Sequence, residues 1–264
     1  MARLLNTATK GISWEGYKCK TLTRMWQVII SEYSARNITR NADILPALSG
    51  CASQMQIDGG KDYLAGIFLD HVPEILLWSA FPNWGSTVTY RPSSEYIAPS
   101  FSWASLVGAQ VGFEGFGRFI PVSRIELLEA SCQLKGENPF GEVVSGFIRL
   151  SGALISTDPE REKQPNMARI KGKPFIFFPD TIGDLKTTFG DLMMENSEPK
   201  YCLRLIDCLA KTQDGGLYLY KHGTQGLMLA PSRRVPGAYE RCGMFRGMDP
   251  SVFDREPERE VTIV

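Results

Sequence analysis

The sequence lacks an excess of charge of either sign. It contains 29 lysine and arginine residues against 29 aspartate and glutamate residues. Such a chain has no electrostatic field that would attract the phosphates of nucleic acid or an anionic membrane. We therefore expect no nucleic-acid partner.

Histidine is scarce, and the cysteines are scattered. The only histidines are His71 and His222, and none of the six cysteines belongs to a CxxC pair, the spacing typical of zinc and redox sites. We therefore expect no metal and no cofactor. Reduced, mostly buried thiols are the simpler interpretation, and they indicate a reducing compartment.

Long apolar runs are also missing. The start of the chain, "MARLLNTATKG", has no apolar stretch of signal-peptide length. The most apolar stretch, "YLAGIFLDHVPEILLW", contains Asp70, His71, Pro73 and Glu74, so it does not fit a membrane span. The sequence predicts a cytoplasmic protein without membrane insertion.

The first third of the chain has helical periodicity. From Thr21 onward, apolar residues recur at three- and four-residue steps, and Thr21 or Thr23 can supply the N-cap oxygen. A second helix is predicted after Asp43, which caps or precedes it, with Pro46 in its first turn. "VPEILLWSAF" predicts a third helical piece. The first stripe consists of Leu22, Met25, Trp26, Ile29, Ile30 and Tyr33.

The rest of the chain has the two-residue period of strands. "RIELLEASCQL" alternates, with a slip at Leu127–Leu128 that fits a bulge. In the next strand, one face is predicted to carry Val144, Ile148, Leu150 and Leu154. Further strands are predicted in "KPFIFFPD", "KYCLRLIDCLA", "GGLYLYKHGTQGLMLA" and "VTIV".

These patterns predict an α+β fold, with a helical N-terminal third packed on an antiparallel β-rich remainder of sandwich or barrel type. We assign residues 1–20 to an irregular leader, 21–95 to a helical subdomain and 96–264 to a β-rich subdomain. An exposed loop is expected near residues 156–172, because "STDPEREKQPNMARIKG" is polar and unpatterned. "GFEGFG", residues 112–117, does not open a helical pattern and is predicted to be a loop rather than a dinucleotide-binding site.

The stretch "APSFSWAS" has two competing interpretations. As an active site it would need a serine nucleophile, yet Ser102 has no G-x-S-x-G context, and only His71 or His222 could act as its base. As an extended segment, it would place Phe101, Trp103 and Ser105 on one face, with Ser100, Ser102 and Ala104 on the other. The two aromatic rings would then bury roughly 150–250 Å² each. Core packing is the simpler explanation.

The adjacent charges of "YERCG" carry a separate prediction. In a strand, Glu240 and Arg241 point to opposite faces, so each needs its own partner. Surface or half-buried ion pairs are the expected partners.

Several of these segments resemble the heterokaryon-incompatibility (HET) family of fungi. "WQVIISEYSARNITRNADILPALSGCA" is similar to a run that follows the named domain in that family, and "DYLAGIF" resembles its "YLAGLW". "APSFSWAS" resembles "APSWSWAS", with Phe101 in place of the first tryptophan. The segment 226–245, "GLMLAPSRRVPGAYERCGMF", resembles the family's closing "GL.L…YeR.G.f". The resemblance is specific from Trp26 to Ser105 and thinner from Tyr201 to Phe245.

The resemblance assigns a set of signature residues, for which we expect a structural role. They are Trp26, Tyr33, Ser34, Asp43, Leu45, Gly50, Tyr63, Gly66, Trp78, Pro99, Ser100, Ser102, Trp103, Ser105, Tyr239, Glu240, Arg241 and Gly243.

The resemblance implies a function in fungal non-self recognition and regulated cell death. Family members begin with a domain carrying a "Y.aLSY.WG" stretch, which this sequence does not contain. The chain therefore resembles the downstream, non-catalytic portion, and its implied partner is a protein, or the upstream HET domain itself. One alternative is a stand-alone β-rich binding module with an aromatic surface formed by Trp84, Tyr90, Tyr96 and Trp103. The other is a cryptic serine hydrolase that uses Ser102 or Ser105 with His222.

Overall fold

The chain folds with its helices at the start and a large, mainly antiparallel sheet after them, which confirms the predicted fold class. The structure, a computed structural model, describes residues 18–36, 38–82, 90–113, 120–157, 160–161, 167–181, 200–211 and 217–264.

The described part contains two α-helices and a series of strands that we number in chain order. The helices are α1 (Lys18–Ser34) and α2 (Ser49–Ile57). The strands before the large sheet are β1 (Tyr63–Leu64), β2 (Ile67–Phe68), β3 (Trp78–Pro82), β4 (Arg91–Pro92), β5 (Leu106–Val107) and β6 (Ala109–Phe113). The strands of the large sheet are β7 (Ile120–Ser123), β8 (Ile125–Leu134), β9 (Val143–Thr157), β10 (Glu160–Arg161), β11 (Met167–Ile170), β12 (Lys173–Pro179), β13 (Lys200–Lys211), β14 (Leu217–Pro231), β15 (Tyr239–Met248) and β16 (Glu258–Ile263).

Five strands of the large sheet close into a small barrel. They are hydrogen-bonded in the order β15, β14, β13, β9 and β16, and β16 returns to β15 through a parallel pairing of Tyr239 with Ile263. The remaining strands extend this ring: β12, β11 and β10 continue from β15, while β8 and β7 pair with β9 and β13. Of the two architectures predicted from the sequence, the structure has the barrel.

Alternating residues of the barrel strands pack into two different hydrophobic cores. Leu203, Leu227 and Met244 belong to a large core that also contains Trp26 and Ile30 of α1. Their chain neighbours Cys202, Met228 and Phe245 face a second core against β11 and β12. Because side chains alternate along a strand, β13, β14 and β15 are covered on both faces. The helical segment and the barrel therefore share one apolar interior.

The first helix buries the predicted stripe but begins earlier than predicted. Leu22, Met25, Trp26 and Ile30 are buried. The helix starts at Lys18, so Thr21 lies inside it and the predicted N-cap at Thr21 or Thr23 is wrong. The sequence between Lys18 and Thr21 contains neither glycine nor proline, so nothing there stops the helix.

The second predicted helix begins later than expected, and the third is a short turn followed by a strand. Asp43 ends a 3₁₀ turn (Asn41–Asp43), and Pro46 opens another (Pro46–Leu48), which leads into α2. Asp43 thus precedes the second helix without capping it through its side chain. In "VPEILLWSAF" only Glu74–Leu76 makes a 3₁₀ turn, and the segment from Trp78 is β3, paired with β6. A short, mainly apolar segment does not distinguish a helix from a buried strand.

The strand predictions are confirmed more closely, with exceptions. The register of β8 on β9 shifts between Leu127 and Glu129, which confirms the predicted bulge. Ile148, Leu150 and Leu154 are buried as predicted, whereas Val144 is 43% exposed and the prediction for it is wrong. The register of β8 on β9 shifts a second time between Gln133 and Leu134, opposite the start of β9, where Val144 lies. Here Val143 is the buried residue.

The predicted loop at residues 156–172 contains structure. Residues 167–170 form β11, in which Ala168 and Ile170 are buried against the second core. The loop prediction is wrong there because "MARI" alternates within a charged stretch that hides the pattern. In "GFEGFG", Gly112 and Phe113 belong to β6. Residues 114–117 lie outside the described part, as do 1–17 of the predicted leader.

Candidate functional site

Several signature residues meet at the turn between β1 and β2. The main-chain oxygen of Gly66 accepts hydrogen bonds from the indole N–H groups of Trp26, at 2.9 Å, and Trp103, at 2.8 Å. A carbonyl oxygen has two lone pairs, and both are used here. One carbonyl thus joins α1 to the "SFSWAS" segment, residues 100–105, across 40 and 37 residues of sequence.

Ser102 belongs to the same junction. Its hydroxyl donates to the main-chain oxygen of Ala65, at 2.5 Å, and accepts from the main-chain N–H of Ala104, at 3.1 Å. Ser102 is the N-cap of a 3₁₀ turn (Trp103–Ser105), so the segment is not extended and the prediction of alternating faces is wrong. Phe101, Ser102 and Trp103 are all buried. A buried hydroxyl with two partners is positioned for structure rather than for nucleophilic attack.

The end of α1 is attached by further signature residues. The ring of Tyr33 packs edge-to-face on Trp103, with centroids 6.0 Å apart, and its hydroxyl lies 3.5 Å from the main-chain oxygen of Asp43. The hydroxyl of Ser34 accepts from the main-chain N–H of Val111 in β6, at 2.8 Å. Leu45 is buried beside the Gly66 turn. These contacts fix α1 against β6 and the 3₁₀ turn Trp103–Ser105.

The guanidinium of Arg241 forms a second junction. It donates from Nε to Asp180 Oδ2 at 2.8 Å, and from Nη1 and Nη2 to the main-chain oxygens of Leu76, at 2.6 Å, and Trp78, at 2.5 Å. It also stacks on the Trp78 ring, 3.3 Å from the centroid. Both partners of this ion pair are buried, so the predicted surface or half-buried pair is wrong for Arg241. Glu240, on the other face, is half-buried and accepts from the Ser232 hydroxyl at 2.9 Å.

Burial opposes both charges of this pair. Desolvation raises the pKa of Asp180, while the neighbouring Arg241 guanidinium lowers it. Desolvation likewise lowers the pKa of Arg241, and Asp180 opposes that change. Each charge is therefore tolerated in the interior because the other is present.

Ser100 joins the two ends of the β-rich part. Its hydroxyl donates to the main-chain oxygen of Val264, at 2.5 Å, and accepts from the main-chain N–H of Arg241, at 2.9 Å. The main-chain N–H of Val264 in turn donates to Tyr239, at 2.9 Å. Ser100 thus supports the point at which β16 closes the barrel against β15.

A cavity of about 450 Å³ lies beside this junction. Its walls come from the segment 92–106, the start of β9 and the residues around 234–241. The signature residues Ser100, Ser105, Glu240 and Arg241 line it together with Asp180. The segments 92–106 and 234–241 therefore face one concave space.

The remaining signature residues lie around these junctions or apart from them. Tyr63 packs on Phe140, with ring centroids 5.0 Å apart, and Trp78 donates its indole N–H to Phe101, at 3.0 Å. Ser105 donates to the main-chain oxygen of Ser102, at 2.8 Å. Pro99 accepts a main-chain hydrogen bond from Ser102, and Gly243 pairs with Pro179. Gly50, by contrast, is exposed on α2 and touches none of them.

The structure brings no described histidine to Ser102 or Ser105. His71 is buried next to Phe68, with ring centroids 5.7 Å apart, and neither of its ring nitrogens has a hydrogen-bond partner among the described residues. Ser102 is instead held by Ala65 and Ala104. His222 lies on the backbone of β14, and its side chain is outside the described part.

The aromatic surface of the binding-module alternative is not assembled. Tyr90 and Trp103 are buried, and Trp84 lies outside the described part. Of the three described residues, only Tyr96 is exposed, and it lines the cavity.

Sequence reasoning missed the partners that complete the site. Asp180 comes 61 residues before Arg241, and "FFPD" reads only as the end of a strand. It also missed Asp207, whose carboxylate is held by Arg124, Arg204 and Thr224, contacts that lower its pKa despite burial. Local patterns contain no signal for the pairs of Asp180 with Arg241 and of Asp207 with Arg124, because each joins residues far apart in the chain.

The described residues contain no helix both long and apolar enough to cross a membrane. In the same part of the chain, no three histidine, cysteine, aspartate or glutamate side chains cluster in a way that could hold a metal ion.

Comparison of the chain with models of protein families, with curated proteins and with solved structures found no match.

Two of the three signature glycines, Gly66 and Gly50, give a matched test of the Gly66 junction. Gly66 has φ +97°, and a Cβ there would lie 2.8 Å from Trp103 Nε1. We expect Gly66→Ala to lower the free energy of unfolding by about 2–4 kcal/mol. Gly50→Ala, with nothing within 4 Å of the added carbon, should raise it by about 0.5–1 kcal/mol. Urea denaturation of both variants checks this, and equal effects would contradict it.

Removing Arg241 should be among the most damaging single changes. Arg241→Met leaves the Asp180 carboxylate buried without its partner, so we expect a loss of about 3–5 kcal/mol in unfolding free energy. The double variant with Arg241→Met and Asp180→Leu should lose less unfolding free energy than the sum of the losses in the two single variants, as measured by urea denaturation.

The pH dependence distinguishes this loss from simple loss of packing. Without Arg241, burial holds the pKa of Asp180 above its value in the unfolded chain. The Arg241→Met variant should therefore recover stability relative to the wild type as pH falls from 7 towards 4. A constant difference between the two proteins over that range would contradict the assignment.

His71 should make folding sensitive to mild acid. Burial lowers the pKa of its imidazole, with Asp70 only partly opposing this. The unfolded chain takes up a proton near pH 6.5 and the folded chain at lower pH, so stability should fall as pH drops below about 6.5. His71→Leu should lose less stability than the wild type between pH 7.5 and 5 in urea denaturation. Identical pH profiles would show that His71 does not carry the effect.

Proposed function

We propose that the chain is a non-catalytic module of a HET-type protein. In this proposal it acts in the cytoplasm, in fungal non-self recognition and regulated cell death, together with a HET domain or another protein partner. The family resemblance supplies the biological setting, and the arrangement of the signature residues supports a scaffolding role.

The burial and the hydrogen bonds of Ser102 support the non-catalytic part of the proposal. A nucleophilic serine needs an accessible oxygen and a base within hydrogen-bond reach. Ser102 is buried, and its hydroxyl is bonded to Ala65 and Ala104. Its neighbour Trp103 is buried and bonded to Gly66. These residues support a function in which the signature holds the module together and presents its surface.

Co-expression in a filamentous fungus tests the proposal. The chain would be expressed with a HET domain from the same genome, and death of fused hyphal cells would be measured by vital-dye uptake. We expect death to require the chain and to be lost with Arg241→Met, which removes the buried junction.

Ser105→Ala is the control for chemistry, because it removes the one hydroxyl of the "SWAS" sequence that lines the cavity. We expect this variant to retain full activity in the cell-death assay. Death that is independent of the chain would contradict the proposed module. Death abolished by Ser105→Ala, in a protein of unchanged stability, would instead favour the hydrolase alternative.

A further inference from the structure

The cavity beside the Arg241 junction has the properties of a small-molecule site. Its volume of about 450 Å³ lies within the range of roughly 300–1,000 Å³ that is usual for ligand pockets. Carbon-rich side chains form most of its wall: Pro92, Tyr96, Ile97, Leu106, Val144 and Val235. Such a wall suits a ligand with an apolar body.

The rim of the cavity is unusually apolar for exposed surface. Tyr96 is 39% exposed, and Val144 and Val235 are each 43% exposed. These are three of the nine large hydrophobic residues that are exposed in the described part of the chain, and all three line this one cavity. Exposed apolar side chains gathered around a concavity mark binding sites.

The inner wall of the cavity is preformed. Arg241 and Asp180 both line it, and each is already neutralised by the other. Four hydrogen bonds from the guanidinium and its stacking on Trp78 hold this wall in place. The pair therefore adds rigidity to the site without giving it a net charge.

The other charged groups give the cavity a net negative charge. They are Glu95, Glu240 and Arg234, and none of the three forms a salt bridge with a described residue. Two carboxylates against one guanidinium leave one negative charge. The guanidinium carbon of Arg234 lies 6.0 Å from the centroid of the Tyr96 ring. The face of that ring is thus already paired with a cation.

We propose that this cavity binds a small amphipathic amine. The apolar body of the ligand lies among Ile97, Leu106 and Val144. Its ammonium group takes the place of Arg234 on the Tyr96 ring and is attracted by Glu95 and Glu240. This function goes beyond the proposed HET-type role and does not depend on it, since it is measured on the purified chain alone.

Three probes of one shape test the charge preference. Calorimetric titration of the full chain would use 3-phenylpropylamine, 3-phenylpropionate and 3-phenylpropanol, which share an apolar body and differ in the charge of the head group. We expect the amine to bind at least about tenfold more tightly than the carboxylate, with the alcohol between them. Tighter binding of the carboxylate, equal binding of all three, or no binding of the amine at millimolar concentration would overturn the proposal.

Two substitutions to lysine locate the site. Val235→Lys adds a cation at the rim, and we expect amine binding to weaken at least about tenfold. Val28→Lys is the matched control, because Val28 is 40% exposed on α1 and does not line the cavity. Amine binding should be unchanged in this control. Equal effects of the two substitutions would overturn the location.

Arg234→Ala provides the sharpest test of the binding mode. Because it removes the competing cation from the Tyr96 ring, it should strengthen amine binding several-fold. If Arg234 instead holds an anionic head group, the same substitution would weaken binding of the carboxylate probe and leave amine binding unchanged or weaker. That outcome would contradict the proposal. Circular dichroism of each variant verifies that the fold is retained.

Discussion

The buried guanidinium of Arg241 is the constraint on which the arrangement of this fold depends. Its side chain extends from β15 of the barrel and binds Asp180 after β12 and the main chain at Leu76 and Trp78. A charge in a protein interior is stable only when its donors are satisfied and its partner is fixed. The segment before β3, the end of β12 and β15 must therefore adopt one relative position.

The junction at Gly66 continues this constraint into the helical segment. Trp103 and Trp26 bind the same carbonyl oxygen, while Trp78 binds the main chain at Phe101, in the segment that contains Trp103. The contacts form a continuous path from α1 through the 3₁₀ turn Trp103–Ser105 to the barrel. Residues separated by more than a hundred positions are thereby brought into contact. Their side chains donate to main-chain oxygens of neighbouring segments in a shared apolar interior.

The features that the sequence predicted well are those encoded within a few neighbouring residues. The stripe of α1 follows from apolar residues at helical spacing, and the strands from alternation such as that of Leu203 with Cys202. The bulge at Leu127 was visible as a slip in that alternation. The two periodicities together were enough to predict an α+β fold with a β-rich remainder.

The features that it predicted poorly depend on partners distant in the chain. "VPEILLWSAF" is mainly apolar without a clear period, and only its pairing with β6 makes its second half a strand. "SFSWAS" alternates in size, yet the cap provided by Ser102 turns it into a 3₁₀ turn. The ion pair of Arg241 required Asp180, and the cavity required Val144 to be exposed beside Tyr96 and Val235. No pattern of neighbouring residues predicts such contacts between distant parts of the chain.

Native-state hydrogen exchange gives the most direct measurement of the central claim that α1 and the barrel are held as one unit. Amides of α1 between Leu22 and Tyr33 and amides of β15 would be followed under conditions in which exchange reports the free energy of opening. If the two junctions join these elements as described, both sets of amides open with the same free energy, that of global unfolding. Opening of α1 at a free energy several kcal/mol below that of β15 would show that the helical segment unfolds independently, and would contradict the account.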